Sequence, residues 1–386
     1  MSETTYQAAK VVAPAVEEHF AEHHKSALLL DEMRLATVPV ASAIQAIIDI
    51  TFWASLRREE GHSPKISLAY LPPEQSGQPM IFEQRLRLTP DILTKLAPAV
   101  ERPGIHLGVW GEGDDFFVWG ATRDLPGLCF VLEVVEPGLL VIKHRRLNGF
   151  GKFANVAVLK GEQIKVIDEH SIDMPDCPAL ISSLLGFTSP ASWNQSMNVL
   201  IQLSISMRAH GRGGSLLVVP SDTKEWQESI IKPINYAISP AFSNISELMQ
   251  QNENDRHQSQ WQGALRQAVD GVAGLTAVDG ATIISDRYEL LAFGAKIGRP
   301  EGNIPVEQIL VTEPVIGGEA LIIHPANNGG TRHLSAAQFV HDQRNALALV
   351  ASQDGRFTIF AWSPCENIVH AHRLDALLMC ASKKKI

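Results

Sequence analysis

Cysteine is scarce. Cys129, Cys177, Cys365 and Cys380 are the only four among 386 residues, and no two have a CxxC or other metal-ligand spacing. This excludes a disulfide-stapled scaffold and a zinc ribbon, and leaves the expectation of reduced thiols in a cytosolic protein. A long uninterrupted apolar run is also missing. The most apolar stretch, Ala36 to Leu56, contains Pro39, Gln45 and Asp49 and runs into Arg57-Arg58-Glu59-Glu60. A membrane helix needs about 20 residues nearly free of such groups, so the stretch reads as an amphipathic core helix. The opening Met1-Ser2-Glu3-Thr4-Thr5 has neither the basic n-region nor the apolar h-region of a secretion signal. A cytoplasmic protein without a membrane partner is expected. Positive charge is not in excess either: the formal net charge is -9. That argues against a surface built to coat a nucleic-acid polymer and leaves a small anionic ligand for any local basic pocket. Internal repeats, low-complexity tracts and heptad runs are absent.

What is present is globular. Hydrophobic residues make up 45% and charged residues 19%, ample material for buried cores, and the length suggests about two or three domains. Residues 6 to 31 carry Val12, Val16, Phe20, Ala27 and Leu28 at helical spacing. His19 and His23 fall four apart on one face of that helix, with His24 beside them. Such a pair can bind zinc when a third ligand arrives, but without an HExxH-type arrangement a solvated helix face is the expectation. A second helix is predicted over Val40 to Glu60. From Lys65 onward the text changes to short alternating runs: Ile66–Leu71, Ile81–Leu88, Ile105–Trp110, Leu128–Val135, Leu139–His144, Asn155–Leu159 and Ile164–Ile167, with a helix at Pro90–Ala97. Residues 108 to 120 read as a hairpin turning at Glu112-Gly113-Asp114, with Trp110 and Trp119 facing each other across it. His144-Arg145-Arg146 is the strongly basic patch of this half, expected to be a solvated strand end.

Pro175, Pro178 and Pro190 punctuate an irregular stretch. The predicted organisation is an α+β domain with a β-meander over 1–175, a linker over 176–192 and a second α/β domain over 193–386, its central mixed sheet flanked by helices. In the second half a helix is predicted over Trp193–Ala209. It ends in His210-Gly211-Arg212-Gly213-Gly214 and leads at once into the strand Ser215–Val219, the reverse of P-loop order. A helix over Trp261–Val272 precedes an antiparallel pair, Thr276–Ile284 and Leu290–Ile297. Val306–Val311 and Ala320–Ile323 read as short strands, Ser335–Arg344 as a helix, and Ala346–Ala351 and Thr358–Trp362 as strands.

Two short stretches carry chemistry. Asp279 offers a carboxylate beside Gly280 and Ala281, whose small side chains allow a ribose or backbone to come close. Gly329-Gly330-Thr331-Arg332-His333 is a glycine turn running into a helix. Its N–H groups and the planar Arg332 guanidinium suit phosphate, Thr331 is a candidate N-cap, and His333 adds a donor whose charge can change near neutral pH. Taken singly, each stretch has a purely structural reading as well: a turn at Asp279 and a cap at Thr331.

Together, Asp279-Gly280-Ala281 and Gly330-Thr331-Arg332-His333 resemble the DGA and GTRHR motifs of the diadenylate cyclase domain. Gly213-Gly214-Ser215-Leu216-Leu217-Val218-Val219 is similar to that domain's early core strand, and Ala292-Phe293-Gly294-Ala295 to its second hairpin strand, so the resemblance covers roughly residues 195 to 365. The first half resembles the DACNV sensor module that precedes such domains in some bacterial proteins, on its Trp-Gly-Glu hairpin and the His-Gly-Arg-Gly-Gly junction. The resemblance implies that two such domains face each other in a homodimer or higher homo-oligomer, each holding one ATP, and form cyclic di-AMP and pyrophosphate. It implies that Asp279 binds Mg2+ or Mn2+, that Gly280 and Ala281 line the ribose, and that Gly330, Thr331, Arg332 and His333 hold the triphosphate, with Asp279, Arg332 and His333 as the catalytic set. Two positions depart from the pattern: Leu334 stands where the family has a second arginine, and Ser352-Gln353-Asp354 stands where members often have Ser-Glu. They leave open a second reading, a receptor that binds ATP or cyclic di-AMP without cyclising it.

Overall fold

The computed structural model describes residues 5–29, 34–112, 115–147, 153–169, 171, 176, 178, 181, 195–251 and 259–379. The chain forms two compact units. The first holds the described residues up to Asp168, with Met379, and the second those from Glu169 to Leu378. Both are mixed α/β, each with one large sheet.

The first unit contains α1 (Gln7–Leu29), α2 (Ala41–Ser55), α3 (Pro90–Leu96) and eight strands: β1 (Ser67–Tyr70), β2 (Met80–Arg87), β3 (His106–Glu112), β4 (Asp115–Thr122), β5 (Phe130–Glu136), β6 (Leu139–Arg145), β7 (Phe153–Lys160) and β8 (Gln163–Val166). They pair in the order β2-β4-β3-β1-β5-β6-β7-β8, and β1 with β3 is the parallel pair. The apolar faces of α1 and α2 explain this layer. Val12, Val16, Phe20, Ile44, Ile47 and Ile48 pack on Leu68, Phe130, Leu132, Leu140 and Ile142 of the sheet, each large side chain contributing about 1.5–3 kcal/mol of burial. Helix α3 starts with Thr89 accepting from the Ile92 N–H and with Pro90 in the first turn, as its sequence dictates.

Three expectations change here. Helix α2 stops at Ser55 rather than Glu60, because Ser55 Oγ donates to Phe52 O and accepts from the Gly138 N–H, and Glu60 and Gly61 adopt positive φ. Trp110 and Trp119 do not face each other: a register shift between Gly108 and Val109 places Trp110 opposite Phe117. Trp119 lies instead over Gly108, where a Cβ would sit 2.0 Å from its ring. The tip of that hairpin, Gly113-Asp114, falls outside the described residues. Nor is His144-Arg145-Arg146 a solvated strand end, since His144 and Arg146 are buried, as is His23 on α1. Burial first, then the neighbouring His19, His23 and Arg146, holds the His144 imidazole well below its ordinary range.

The second unit contains α4 (Gln195–Ala209), α5 (Asn244–Gln250), α6 (Ser259–Leu275), α7 (Thr331–Asp342) and β9 (Gly214–Val219), β10 (Tyr236–Phe242), β11 (Ala281–Ser285), β12 (Leu290–Ala295), β13 (Ile309–Thr312), β14 (Leu321–Ile323), β15 (Leu347–Ala351), β16 (Phe357–Ser363) and β17 (Ile368–Arg373). The sheet runs β10-β12-β11-β9-β15-β16-β17-β13-β14. Helix α7 lays Ala336, Ala337, Phe339 and Val340 on Ala348, Val350 and Phe360. Strand β17 is an element that the sequence pattern hid, because its alternation is carried by His370 and His372, both buried. Residues 276 to 280 are not strand: successive N–H groups of Thr276, Ala277 and Val278 bond back to Ala273, Gly274 and Leu275, so the end of α6 turns directly into β11. Helix α7 begins at Thr331, four residues earlier than the apolar period suggests, with Gly330 rather than Thr331 as its N-cap.

Among the described residues no helix is long and apolar enough to cross a membrane.

Candidate functional site

Register determines which loops meet. Strands β9 and β11 run parallel with Ser215 opposite Ala281, so both begin at the same end of the sheet. Strand β15 is antiparallel to β9 with Ala351 opposite Gly214, and β12 is antiparallel to β11 with Ala281 opposite Ala295. Gly213, Asp279-Gly280, Lys296 and Ser352-Gln353 therefore all leave that one end. Helix α7 delivers its N-terminus there too. A cleft of about 400 Å³ lies between the turn Gly329-Gly330-Thr331-Arg332-His333 and the segment Ala351-Ser352-Gln353-Asp354 with Arg356.

Backbone without side chains makes this convergence possible. Gly280 has φ +109, and a Cβ on it would lie 2.5 Å from the Gly294 carbonyl carbon and 2.8 Å from Ala295 O. Gly213 has φ +70, and a Cβ there would lie 3.1 Å from Arg332 Nη1. That contact puts the guanidinium against the turn preceding β9. Gly330 offers no side chain to the start of α7, so the first N–H groups of the helix face the cleft with no capping hydroxyl competing for them.

Asp279 is exposed at 86% and paired with Lys296. The Lys296 ammonium is the main reason its carboxyl titrates below the usual range, and Arg332 and the Gly280 N–H push the same way. The carboxylate is thus ionised, just ahead of β11 rather than within a strand. Thr331 is exposed and Arg332 half-buried. His333 is not a surface donor: it is buried, its Nε2 lies 3.4 Å from Thr358 Oγ1, and its ring meets Phe360 edge-on at 6.0 Å. Burial lowers its pKa to about 4, so the ring is neutral at pH 7 and its charge does not change near neutrality. A Cβ on Gly329 would sit 2.5 Å from His333 Nδ1, so the ring props the glycine turn from below.

The departures from the motif pattern have local roles. Leu334 is half-buried in the first turn of α7. Gln353 donates through Nε2 to the Arg212 carbonyl at 3.3 Å, joining the segment after β15 to the loop before β9. Asp354 pairs with Arg356 at 3.2 Å. Reasoning on sequence alone missed Lys296 and Arg356. Lys296 was within reach of it, because the antiparallel hairpin predicted around residues 285 to 290 returns the end of its second strand to the start of its first.

The donor set defines which metal arrangement fits. Among the described residues no cluster of three His, Cys, Asp or Glu side chains surrounds this cleft. A cage made wholly of protein ligands is therefore not available there. Asp279 just ahead of β11 and Asp354 on the cleft wall suit Mg2+ or Mn2+ held by one or two carboxylates and completed by substrate phosphates.

Comparison with known proteins bears on the first unit. Residues 33–123, which run from before α2 to the end of β4, match the family model described as probable sensor domain DACNV. No curated protein matches the chain. Among solved structures, the crystal structure of a hypothetical membrane spanning protein from Bacillus cereus is similar at 15% identity, over 50% of this chain and 70% of that one, with a TM-score of 0.28.

Proposed function

We propose that the second unit binds ATP in the cleft at the N-terminus of α7 and that the protein is a diadenylate cyclase regulated by its DACNV-type sensor domain. The observation that carries this reading is the convergence of Asp279-Gly280, Gly213 and Gly330-Thr331-Arg332 at one end of the second unit's sheet. The motif resemblance and the family match upstream support it. The α7 N–H groups and Arg332 hold the triphosphate. Asp279 is the residue that would hold Mg2+ or Mn2+, which supplies neutralisation of phosphate charge. His333, neutral and enclosed, orients the glycine turn.

The reaction itself needs two chains. Each ATP presents its 3′-hydroxyl to the α-phosphorus of the other; two 3′-O–P bonds form as two α–β anhydride bonds break, the two hydroxyl protons pass through Asp279 of each chain to water, and two pyrophosphates leave with the cleaved anhydride oxygens. Arg332 and the helix start stabilise charge on the departing pyrophosphate, because such transfers depend on positioning and cations more than on covalent help. The decisive experiment incubates the full chain with ATP and Mn2+ or Mg2+ and follows cyclic di-AMP by mass spectrometry, with Asp279→Asn as control. Product lost in the variant is expected. Measurable ATP binding with no product under any metal condition overturns the cyclase.

That second outcome corresponds to the nucleotide receptor, which has its own supporting observation. Asp279 is held by Lys296, and Gln353 supplies a neutral amide, engaged with Arg212, where a second carboxylate would assist a metal. In that reading the cleft binds ATP or cyclic di-AMP, and occupancy rather than turnover is the signal.

A further inference from the structure

The cleft of the second unit has a second guanidinium, which neither motif stretch supplies. Arg332 stands on one wall, at the start of α7, and Arg356 on the other, in the turn that joins β15 to β16. Gly213 shows how near the walls come: a Cβ on it would lie 3.1 Å from Arg332 Nη1 and 3.4 Å from Gln353 Cγ in that turn. After burial, the charges that bear on the His333 ring are those of Asp354, Arg356, Arg373 and Arg332, so both guanidinia of the cleft converge on one place. We propose that Arg356 is a phosphate-binding cation of this cleft, paired with Asp354 until a polyphosphate carrying a divalent metal enters. The proposal rests on the reading of the cleft as a nucleotide site and adds to it the group that grips the phosphate chain from the opposite wall.

The turn holds Arg356 in place. The Ser352 N–H donates to the Arg356 carbonyl at 2.9 Å and the Gly355 N–H to the Ser352 carbonyl at 3.2 Å, with Gly355 at φ +86. Gln353 ties the same turn to the Arg212 carbonyl. Asp354 accepts the Arg356 backbone N–H at 3.3 Å and pairs with its guanidinium at 3.2 Å, both side chains being more than half exposed. An exposed pair of this kind is worth little, so exchanging its partners costs little. Two guanidinia against one carboxylate leave the walls with an excess of positive charge, which suits an anion, and the planar fork of arginine matches phosphate oxygens. A chain of phosphates can meet both walls at once. Asp354, once engaged with a metal carried by those phosphates, no longer holds Arg356, which turns to the phosphates in its place. Metal and Arg356 are therefore recruited together.

Isothermal titration calorimetry of the full chain with ATP, first in Mg2+ and then in EDTA, tests this. In Mg2+, Arg356→Ala should weaken ATP about 10- to 100-fold, the loss of one charged hydrogen bond, and Arg356→Lys, which keeps the charge without the fork, should recover part of that loss. In EDTA, Arg356→Ala should change little, whereas Asp354→Asn, which frees the guanidinium, should bind ATP more tightly than wild type. Exposed Arg287, in the turn between β11 and β12 at the other end of the sheet, is the control, and Arg287→Ala should keep full affinity. Equal binding of ATP with Mg2+ by wild type and Arg356→Ala overturns the proposal and leaves the nucleotide site standing, and an equal loss in Arg287→Ala also overturns it. A loss in Arg356→Ala that is the same in EDTA overturns the part assigned to Asp354. Inorganic tripolyphosphate separates the two readings: if it binds in an Arg356-dependent way while ATP does not bind, the nucleotide site alone is overturned, and a wild-type chain that binds neither overturns both.

Discussion

Gly280→Ala is the sharpest perturbation of the candidate site, because the cost of one methyl group there is set by backbone alone. At φ +109 an L side chain is strained, and the added Cβ would lie 2.5 Å from the Gly294 carbonyl carbon, 2.7 Å from Gly294 O and 2.8 Å from Ala295 O. None of these atoms is the end of a flexible side chain, so β12 itself has to shift. A residue forced into a sparsely populated backbone region costs about 1–3 kcal/mol, and overpacking costs about 1–3 kcal/mol more. The sum, about 2–6 kcal/mol, is a large part of the stability of a typical domain, about 5–15 kcal/mol. Hydrogen exchange read by mass spectrometry localises the effect. Peptides covering β11 and β12 should exchange faster in the variant, while peptides from β5 and β6 of the first unit serve as an internal reference. Gly330→Ala is the matched comparison: its φ is -77 and a Cβ there meets nothing within 4 Å. Its cost is therefore confined to the cap, about 1 kcal/mol or less. Equal protection of β11 and β12 in wild type and Gly280→Ala would refute the close-approach argument.

Other consequences follow from named groups. Burial lowers the His333 pKa from 6.5 to about 4, so the folded state binds fewer protons than the unfolded one between these values. The resulting stabilisation is fully present above the unfolded pKa and is lost as pH falls toward about 4, amounting to about 3 kcal/mol. His333→Gln should flatten the loss of stability between pH 6.5 and 4 in urea titrations, with His372, lowered to about 3, still contributing, and an unchanged slope would contradict the assignment. Arg332→Ala should weaken ATP binding by about 1.5–3 kcal/mol, the value of a charged hydrogen bond, with little change in melting temperature because the side chain is half-buried; calorimetry against thermal shift separates the two. Trp119→Phe removes the indole N–H that donates to Leu71 O at 2.8 Å and leaves space over Gly108, so about 2–4 kcal/mol of the first unit's stability should go, seen as a lower urea midpoint.

The elements that the sequence reveals are those whose pattern is local. The apolar stripes of α1 and α2 and the alternation of β5 to β8 are period signals, and they place the strands to within a residue or two. What stayed hidden depends on non-local partners. Strand β17 carries histidines where a strand is expected to carry aliphatics, and they are buried only because β16 and β13 flank it on both sides. The Trp110–Trp119 pairing fails because the strand register, shifted at Gly108, sets Trp110 opposite Phe117, and even the unshifted register would set it opposite Val118. The solvated reading of His19, His23 and His144 fails for the same reason: α1 and β6 are more than a hundred residues apart, and only the packed layer brings the three rings together.

At the candidate site the same distinction separates position from charge. Gly280, Gly213 and Gly330 act through what they lack, and a glycine beside an acid or a cation is visible in a sequence. The electrostatic state is not. Lys296 reaches Asp279 only through the β11–β12 register, and His333 becomes a neutral prop only because β16 places Thr358 and Phe360 against it. The cleft is lined by a guanidinium backed by a helix start, and a carboxylate already matched to a cation stands at the same end of the sheet. The Lys296–Asp279 pair is exposed on both sides and so is worth little by itself. A ligand bringing phosphates and a divalent metal together can displace it at small cost, the phosphates taking the lysine and the metal taking the aspartate. A ligand bringing phosphates alone leaves the pair intact and meets one arginine. On the proposed nucleotide-binding reading, metal dependence of affinity, rather than affinity itself, is therefore the measurement that tests this arrangement of charges.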